Sequence, residues 1–405
     1  MAAKEIIIVG GGASGLMAAV TAARRGAHVT ILEHQPACGK KILATGNGRC
    51  NLTNLQKDPD SYRSHAPKAV ERVLRRFSVE DTLNFFSDLG LYTRNKNGWI
   101  YPYSQQARTV LHLFLGEINH LGVKLETEVN IQNIQKKRGK WKLTADTKIY
   151  EADAVILAAG SKASNLPGAD GSGYALAESL GHRIYPVLPA LVPLVGEGDY
   201  FRQWEGLRMD ARISLYLNGT LTKQEDGEIQ LTGYGVSGIP VFQLSRYAVE
   251  GISQKKRAKL QIDFFPDSSM RKLEQLLRAG KNRSPHKSWE EILSGIFPEK
   301  FSRILARRSK KTKEAELPRR IAQSIKRWSV PIRRWQDDTY AQVCMGGVDF
   351  GQVDADTLES KLHSGLYFAG EILDVDGACG GYNLQWAWSS GAVAAMACTD
   401  RKEKI

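Results

Sequence analysis

Several features are scarce or missing in this 405-residue sequence, and each absence narrows the possibilities. No stretch approaches 18 uninterrupted apolar residues, so no membrane span is expected. The five cysteines (Cys38, Cys50, Cys344, Cys379 and Cys398) are odd in number and widely spaced. None forms a C-x-x-C pair, so neither a metal site nor a disulfide framework is suggested. Residues Met1 to Glu5 lack the apolar core of a signal peptide, and the reduced cytoplasm is the expected setting. Internal repeats and a low-complexity tail are also missing. What remains is an ordinary globular composition, 42% hydrophobic and 24% charged, long enough for two or three domains.

Acidic residues run short in one place. Between Gly251 and Trp335 there are 23 Lys and Arg against 8 Asp and Glu, a surplus of 15 in a chain whose total is +13. The rest of the sequence is therefore close to neutral. Within "RILARRSKKTKEAELPRRIAQSIKRW", Arg303 to Trp328, ten cations meet two glutamates. A solvated helix face accounts for part of such a run. A surplus this concentrated repels itself, however, and points to a polyanionic partner. Trp289, Trp328 and Trp335 are interleaved with the charge, as core residues or as platforms for unpaired bases.

The chain opens with a strand, Ile6–Val9, a glycine turn "GGGASG", an Ala-rich helix closed by Gly26, and a second strand "HVTILE". This is a βαβ unit of the expected length. Helices follow over "PKAVERVLRRFSVEDTLNFFSDLG", with Ser78 placed to cap the second. Short strands then lead to the apolar "ADAVILAAG". After Pro186 the pattern turns β-rich, with turns expected at Asn218-Gly219 and Asp226-Gly227. From Asp267 it becomes helical and basic. An apolar strand and an Ala-rich helix close the chain. The order implies an α/β nucleotide-binding domain in two parts, 1–187 and 338–405. Between them lies an insertion with a β-rich part, 188–265, and a basic helical part, 266–337.

Gly10, Gly12 and Gly15 form a G-x-G-x-x-G between strand and helix. The first allows the tight turn, the second lets a pyrophosphate approach the backbone, and the third lets helix and strand pack closely. The free N–H groups of the helix then face the phosphates. Glu33, ending the second strand, suits ribose hydroxyls and would repel a 2′-phosphate, which argues against tightly bound NADP. Near the other end, "GLYFAGEILD" sets Gly370-Glu371 after an apolar strand. This resembles the second flavin motif of two-dinucleotide-type flavoproteins, except that the usual Gly-Asp is Gly-Glu. "ADAVILAAG" resembles their other shared element. No second G-x-G-x-x-G follows on a βαβ unit, so NADH or NADPH is expected as a transient reductant over a resident FAD.

Two further stretches, "CGKKILATGNGRCNLTN" (38–54) and "GGYNLQWAWSSG" (380–391), resemble one bacterial family of FAD-dependent oxidoreductases along essentially the whole chain. That family includes aminoacetone-oxidase-like and bile-acid-reducing flavoproteins and ribosomal RNA dihydrouridine synthases. The resemblance implies a Rossmann-type two-dinucleotide-binding fold, split by an insertion with a β-barrel-like part and a small helical part. It implies Gly10, Gly12, Ala13, Ser14 and Gly15 at the pyrophosphate, Glu33 at the adenosine ribose and Val129 facing the adenine. Lys41, Asn51 and Leu52 would line the flavin side, with Ala159, Gly160, Gly370, Glu371, Gly381, Asn383 and Leu384 completing the site. The Gly346-Gly347 pair would approach the isoalloxazine.

Reduced flavin adds hydride to a C=C bond conjugated to a carbonyl, and uracil C5=C6 and a steroid enone both qualify. The neighbouring carbon then needs a proton from a general acid. Cys50, beside Arg49, and Tyr382 are the candidates. His182 reads as structural. The basic insertion favours uridine in large-subunit ribosomal RNA as substrate, with Arg307, Arg308, Lys310, Lys311, Arg319 and Arg320 on its phosphates. A small-molecule enone reductase or amine oxidase is the alternative, and a flavin-bearing RNA-binding factor without turnover is a third. The oligomeric state is left open.

Overall fold

A computed structural model describes residues 3–400 except 57, 147, 165–167, 199 and 310–311. The chain divides into two compact units, one formed by residues 1–188 and 343–405, the other by 189–342.

The first unit is built on a five-stranded parallel sheet. Its order is Leu366–Phe368, Ala154–Leu157, Glu5–Val9, His28–Leu32 and Lys124–Glu126. Ile6, Ile8, Val155, Ile156 and Leu157 are buried, as expected of strands covered on both faces. The helices Ala13–Arg24 and Tyr382–Thr399 lie against one another. Gly391 permits this, because a Cβ there would collide with the Ser14 carbonyl oxygen. The strands Glu5–Val9 and Ala154–Leu157 both aim their C-terminal ends at the first glycine turn, where ligands bind in open α/β sheets. The helices Pro67–Arg76 and Val79–Asp88 form as the sequence implies, and Ser78 and Asp81 make a capping box.

The second unit is a closed six-stranded barrel of Leu194–Gly196, Gly235–Ser237, Thr220–Thr232, Arg208–Leu217, Ala258–Asp263 and Trp328–Trp335. Its interior holds Leu194, Ile213, Leu215, Ile229, Leu231, Leu260, Ile262 and Val330. Four helices, Met270–Arg283, Trp289–Leu293, Glu299–Ser309 and Leu317–Lys326, connect the last two strands.

Two expectations need correction here. The segment 266–337 is not helical throughout, because Trp328–Trp335 is the strand that closes the barrel. Its alternating burial, with Trp328, Val330 and Ile332 inward, is period-two behaviour hidden by arginines and Pro331. Asp226-Gly227 is not a turn either. The strand Thr220–Thr232 runs straight through it, with Asp226 opposite Arg212 and both carboxylate oxygens accepting from that guanidinium at 2.8 Å. The turn at Asn218-Gly219 does form, both residues having positive φ. Among the described residues no helix is long and apolar enough to cross a membrane.

Candidate active site

The glycine turn shows three different constraints. Gly10 has φ +106°, and a Cβ on it would lie 2.5 Å from the Ala158 carbonyl oxygen. A Cβ on Gly15 would fall well inside contact distance of the Gly10 carbonyl oxygen, so helix and strand meet backbone to backbone. Gly12 is the opposite case: a Cβ there meets nothing within 4 Å. It precedes a helix with no side-chain cap, leaving the first-turn N–H groups around Ala13 and Ser14 free for an anion. The open volume at Gly12 therefore has the position and chemistry a pyrophosphate needs. Ser14 is buried, its hydroxyl donating to the Ala369 carbonyl at 3.3 Å.

Glu33 is buried, and its carboxylate accepts from the Gly11 N–H at 2.7 Å and the Gln35 N–H at 2.8 Å. Val129 N–H donates to the Glu33 carbonyl at 3.0 Å, which brings Val129 to the same end of the turn. Ala159 follows the strand Ala154–Leu157, and Gly160 after it has φ +74° with open space where a side chain would be.

Opposite the glycine turn, the loop after Phe368 is held from the last helix. Gly370 N–H donates to Ser390 Oγ at 2.8 Å, and the Gly370 carbonyl accepts from Trp386 Nε1 at 3.0 Å. Glu371 pairs with Lys41 and accepts from Ser161 Oγ at 2.8 Å. Tyr174 and Cys344 complete this cluster. Burial first, and then Glu371, push the Cys344 thiol up to about 11, and burial raises the Tyr174 hydroxyl well above its ordinary range. Ser161, Tyr174 and Asp374 were not singled out in the sequence. Asp374 is 1% exposed and accepts from His65 N and Nδ1, each at 2.9 Å. The alternation of aspartates in "ILDVDG" was the available signal.

The loop 50–54 packs beneath the last helix. Leu52 is wholly buried, its carbonyl accepting from Trp388 Nε1 at 3.0 Å. Asn51 is 7% exposed, yet among the described residues neither Nδ2 nor Oδ1 has a hydrogen-bond partner. A buried amide without partners is costly unless a ligand completes it. Gly381, at φ +98°, starts the last helix beside Asn51, and a Cβ on it would lie 3.0 Å from Asn51 Oδ1. The orphaned amide and the Gly12 opening fit a flavin dinucleotide, one at its polar ring and one at its phosphates. Asn383 is spoken for: its amide holds Gly377 through N–H and carbonyl at 2.7 and 2.8 Å. Leu384 is half-buried against the core. Gly346 and Gly347 abut backbone, where Cβ atoms would meet the carbonyls of Pro186 and Ile372.

The two acid candidates are both buried but sit in different surroundings. Cys50 is 0% exposed with φ +56°, and burial pushes its thiol up to about 12, with Thr45 countering weakly. Arg49 does not tune it: that guanidinium donates to the Gly46 carbonyl at 3.3 Å and lies 6.0 Å from the Tyr101 ring. Tyr382 is 8% exposed, its hydroxyl donating to the Gln56 carbonyl at 3.0 Å. Tyr62 donates to the Tyr382 carbonyl at 3.1 Å. His182 is buried, bonded to Ser360 Oγ at 2.9 Å, with burial lowering its pKa to about 4.

The buried thiols give a direct check. Burial raises Cys38, Cys50 and Cys398 to about 12 and Cys344 to about 11, from an ordinary 9.0. Only Cys379 is more than buried-level accessible. Alkylation of the native protein near pH 8 should therefore mark Cys379 first, with the other four reacting only after denaturation. Because these folded pKa values lie above the unfolded one, their stabilising contribution is complete below pH 9. It should be lost as pH rises toward 12. Peptide mapping after iodoacetamide and alkaline melting curves test both statements.

In the second unit, Arg307, Arg308, Arg319 and Arg320 are all exposed, on the helices Glu299–Ser309 and Leu317–Lys326. Lys310 and Lys311 lie outside the described residues. Part of the basic segment is neutralised internally. Arg303 pairs with Glu290 and Glu299, Arg278 with Glu274, and Lys326 with Asp263 at 2.6 Å. Among the described residues Arg307, Arg319 and Arg320 have no such partner. The interleaved tryptophans are committed elsewhere. Trp328 is in the barrel core, and Trp289 and Trp335 donate their indole N–H to Glu314 and Asp338.

A family model described as HI0933-like protein Rossmann domain matches residues 4–397. The chain belongs to this family. Within it, the chain is 42% identical over 411 residues to a 3-dehydro-bile acid delta(4,6)-reductase of Clostridium scindens, covering 98% of this chain and 100% of that one. It is 30% identical over 408 residues to the ribosomal RNA dihydrouridine synthase of Haemophilus influenzae, covering 97% and 98%. The protein of that name in Escherichia coli is 27% identical over 400 residues, at 97% of each chain. This HI0933-like protein is thus a Rossmann-domain flavoprotein of an FAD-dependent oxidoreductase family, as its glycine turn and split α/β unit imply.

Proposed function

We propose that this flavoprotein reduces a uridine of large-subunit ribosomal RNA to dihydrouridine, with NADH or NADPH as transient reductant. The observation that carries the reading is the set of exposed arginines without carboxylate partners among the described residues, Arg307, Arg319 and Arg320, in a segment with a surplus of 15 positive charges while the rest of the chain is close to neutral. A small neutral substrate gives no use for them, whereas phosphate contacts supply most of the affinity for a nucleic acid. Two relatives named as ribosomal RNA dihydrouridine synthases, aligned over nearly the full length, support the same reading.

The chemistry follows from the site. Bound FAD, once reduced, supplies hydride to the β-carbon of a C=C bond conjugated to a carbonyl. In this reading Gly12 admits the pyrophosphate, Gly10 and Gly15 hold the turn and the helix that face it, Glu33 takes the ribose hydroxyls and Asn51 reads the polar edge of the ring. The Lys41–Glu371–Ser161 cluster fixes the loop beside it. Tyr382 gives the proton to the α-carbon. The uridine must leave its stack to be reached, which a grip on the flanking backbone makes affordable.

A second reading has its own support. The relative at 42% identity is named for a bile acid, and its delta(4,6) bonds are the same kind of acceptor. The two separate in one experiment. Ribosomal RNA from a strain lacking the gene should lose one dihydrouridine by mass spectrometry. The parent gene should restore it, and a gene carrying Arg319→Glu and Arg320→Glu should not, although that protein still retains FAD. Binding to the RNA should weaken by about 10³-fold between 50 and 200 mM salt if six phosphates are contacted. Unchanged RNA in the deletion strain, with NAD(P)H oxidised on addition of a steroid enone at any salt, would hand the function to the second reading.

A further inference from the structure

The second unit has a cleft of about 380 Å³ lined by Tyr200, Gln203, Ile304, Arg307 and Arg308. Its size is that of a small-ligand site, far larger than one phosphate requires. Its two cations are held differently. Arg308 is clamped by rings, its guanidinium carbon 4.1 Å from the Trp328 centroid and 5.3 Å from that of Tyr200. Stacking of this kind occupies the faces of the guanidinium and leaves its N–H edge as a rigid fork. Arg307 is exposed and unpaired among the described residues. Two neighbouring polar atoms are also unsatisfied. Ser309 Oγ, next in sequence, and Trp328 Nε1, in the ring beneath Arg308, are buried at 1% and 2% exposure without hydrogen-bond partners among the described residues.

We propose that this cleft binds a phosphorylated nucleotide. Arg307 and the fork of Arg308 take the phosphate, the partly exposed Tyr200 ring meets the base above a floor formed by the buried Ile304, and the Gln203 amide meets a polar base edge. A charge-assisted pair of arginines is the geometry phosphate selects, and an amide beside an aromatic ring is the usual means of holding a base. Two sources share this chemistry: one nucleotide of an RNA strand, in which case the site rests on the reading above, or the nucleotide half of the nicotinamide reductant, in which case it does not.

The test uses the full-length, FAD-loaded protein, so that the flavin site is filled. UMP, a short oligouridylate and NADPH are titrated by calorimetry against the parent, Arg307→Ala, Gln203→Ala and Arg303→Ala. Arg303 is the control, a cation on the same helix already paired with two glutamates. UMP should bind the parent saturably, about tenfold or more weaker to Arg307→Ala, weaker to Gln203→Ala and equally to Arg303→Ala. Oligouridylate binding tighter than UMP assigns the cleft to RNA. Tighter NADPH, with the same loss in Arg307→Ala, assigns it to the reductant. No saturable UMP binding, or an equal loss in Arg303→Ala, overturns the site and leaves only diffuse charge. The outcomes are separable from the RNA reading: UMP binding with intact ribosomal RNA in the deletion strain sinks that reading alone, and the converse sinks the cleft alone.

Discussion

Gly12→Val should fold, melt close to the parent apoprotein and purify without its yellow colour. Gly15→Val should fail to accumulate as folded protein. Both replace a glycine of one motif, three residues apart, and the sequence treats them alike. The structure does not. At Gly12 the backbone has φ −78°, ordinary for any residue, and the space beyond is empty. The valine methyls would stand where the pyrophosphate belongs, at a fold cost near 1 kcal/mol for a poorer helix cap. At Gly15 the new Cβ would meet the Gly10 carbonyl oxygen, and Gly10 is itself fixed by donating to the Leu32 carbonyl at 2.9 Å. Backbone cannot yield there as a side chain would, so the helix Ala13–Arg24 must lift from the sheet. Overpacking costs of about 1–3 kcal/mol are a lower bound when the obstruction is main chain. The ratio of flavin to protein absorbance after desalting, together with thermal midpoints of apoproteins, reads both effects. Stoichiometric FAD in Gly12→Val would remove the phosphate assignment from this turn.

That contrast marks where sequence reading succeeds and where it stops. The βαβ start was legible because its signals are local: apolar strands of fixed length, a glycine turn and an Ala-rich helix closed by Gly26. The residue pattern alone marked the insertion as β-rich and the family resemblance supplied its barrel-like form, but the closing strand was missed because it lies inside the basic segment and carries Arg333, Arg334 and Pro331. Asp226-Gly227 has the composition of a turn, but a partner on the neighbouring strand, Arg212, decides otherwise. Residue type was enough to mark Asn51, and only the fold shows that its amide has no partner. Lys41 and Glu371 were each expected at the flavin side, yet nothing local couples residues 330 positions apart. Ser161 escaped for the same reason. Net charge has a similar blind spot. A sum over residues counts Arg303 and Arg307 equally, although one is already neutralised by two glutamates and the other is not. Adjacency misled once more at Cys50, where the neighbouring Arg49 turns to the Gly46 carbonyl and the Tyr101 ring.

Tyr382→Phe should cut turnover on the C=C substrate by about 10²-fold or more, the usual weight of a general acid, while FAD content stays at the parent level. The substitution removes one oxygen and keeps the ring, which packs edge-on against Tyr62 with centroids 5.6 Å apart. The carbonyl of residue 382 that accepts from Tyr62 is backbone and survives as well. Oxidation of NAD(P)H with ferricyanide as acceptor needs no proton on carbon and should be unchanged, which places the loss in the protonation step. Cys50→Ala should behave in the reverse way, with a lower melting temperature and turnover within a few-fold of the parent. A thiol raised to about 12 is a weak acid at neutral pH, and at 0% exposure it has no surface to offer a substrate. If Cys50→Ala instead abolished turnover with FAD retained and Tyr382→Phe left it intact, the proton would come through the loop 50–54. The buried loop would then have to open during the reaction, and Cys50 should become alkylated only while substrate is being turned over.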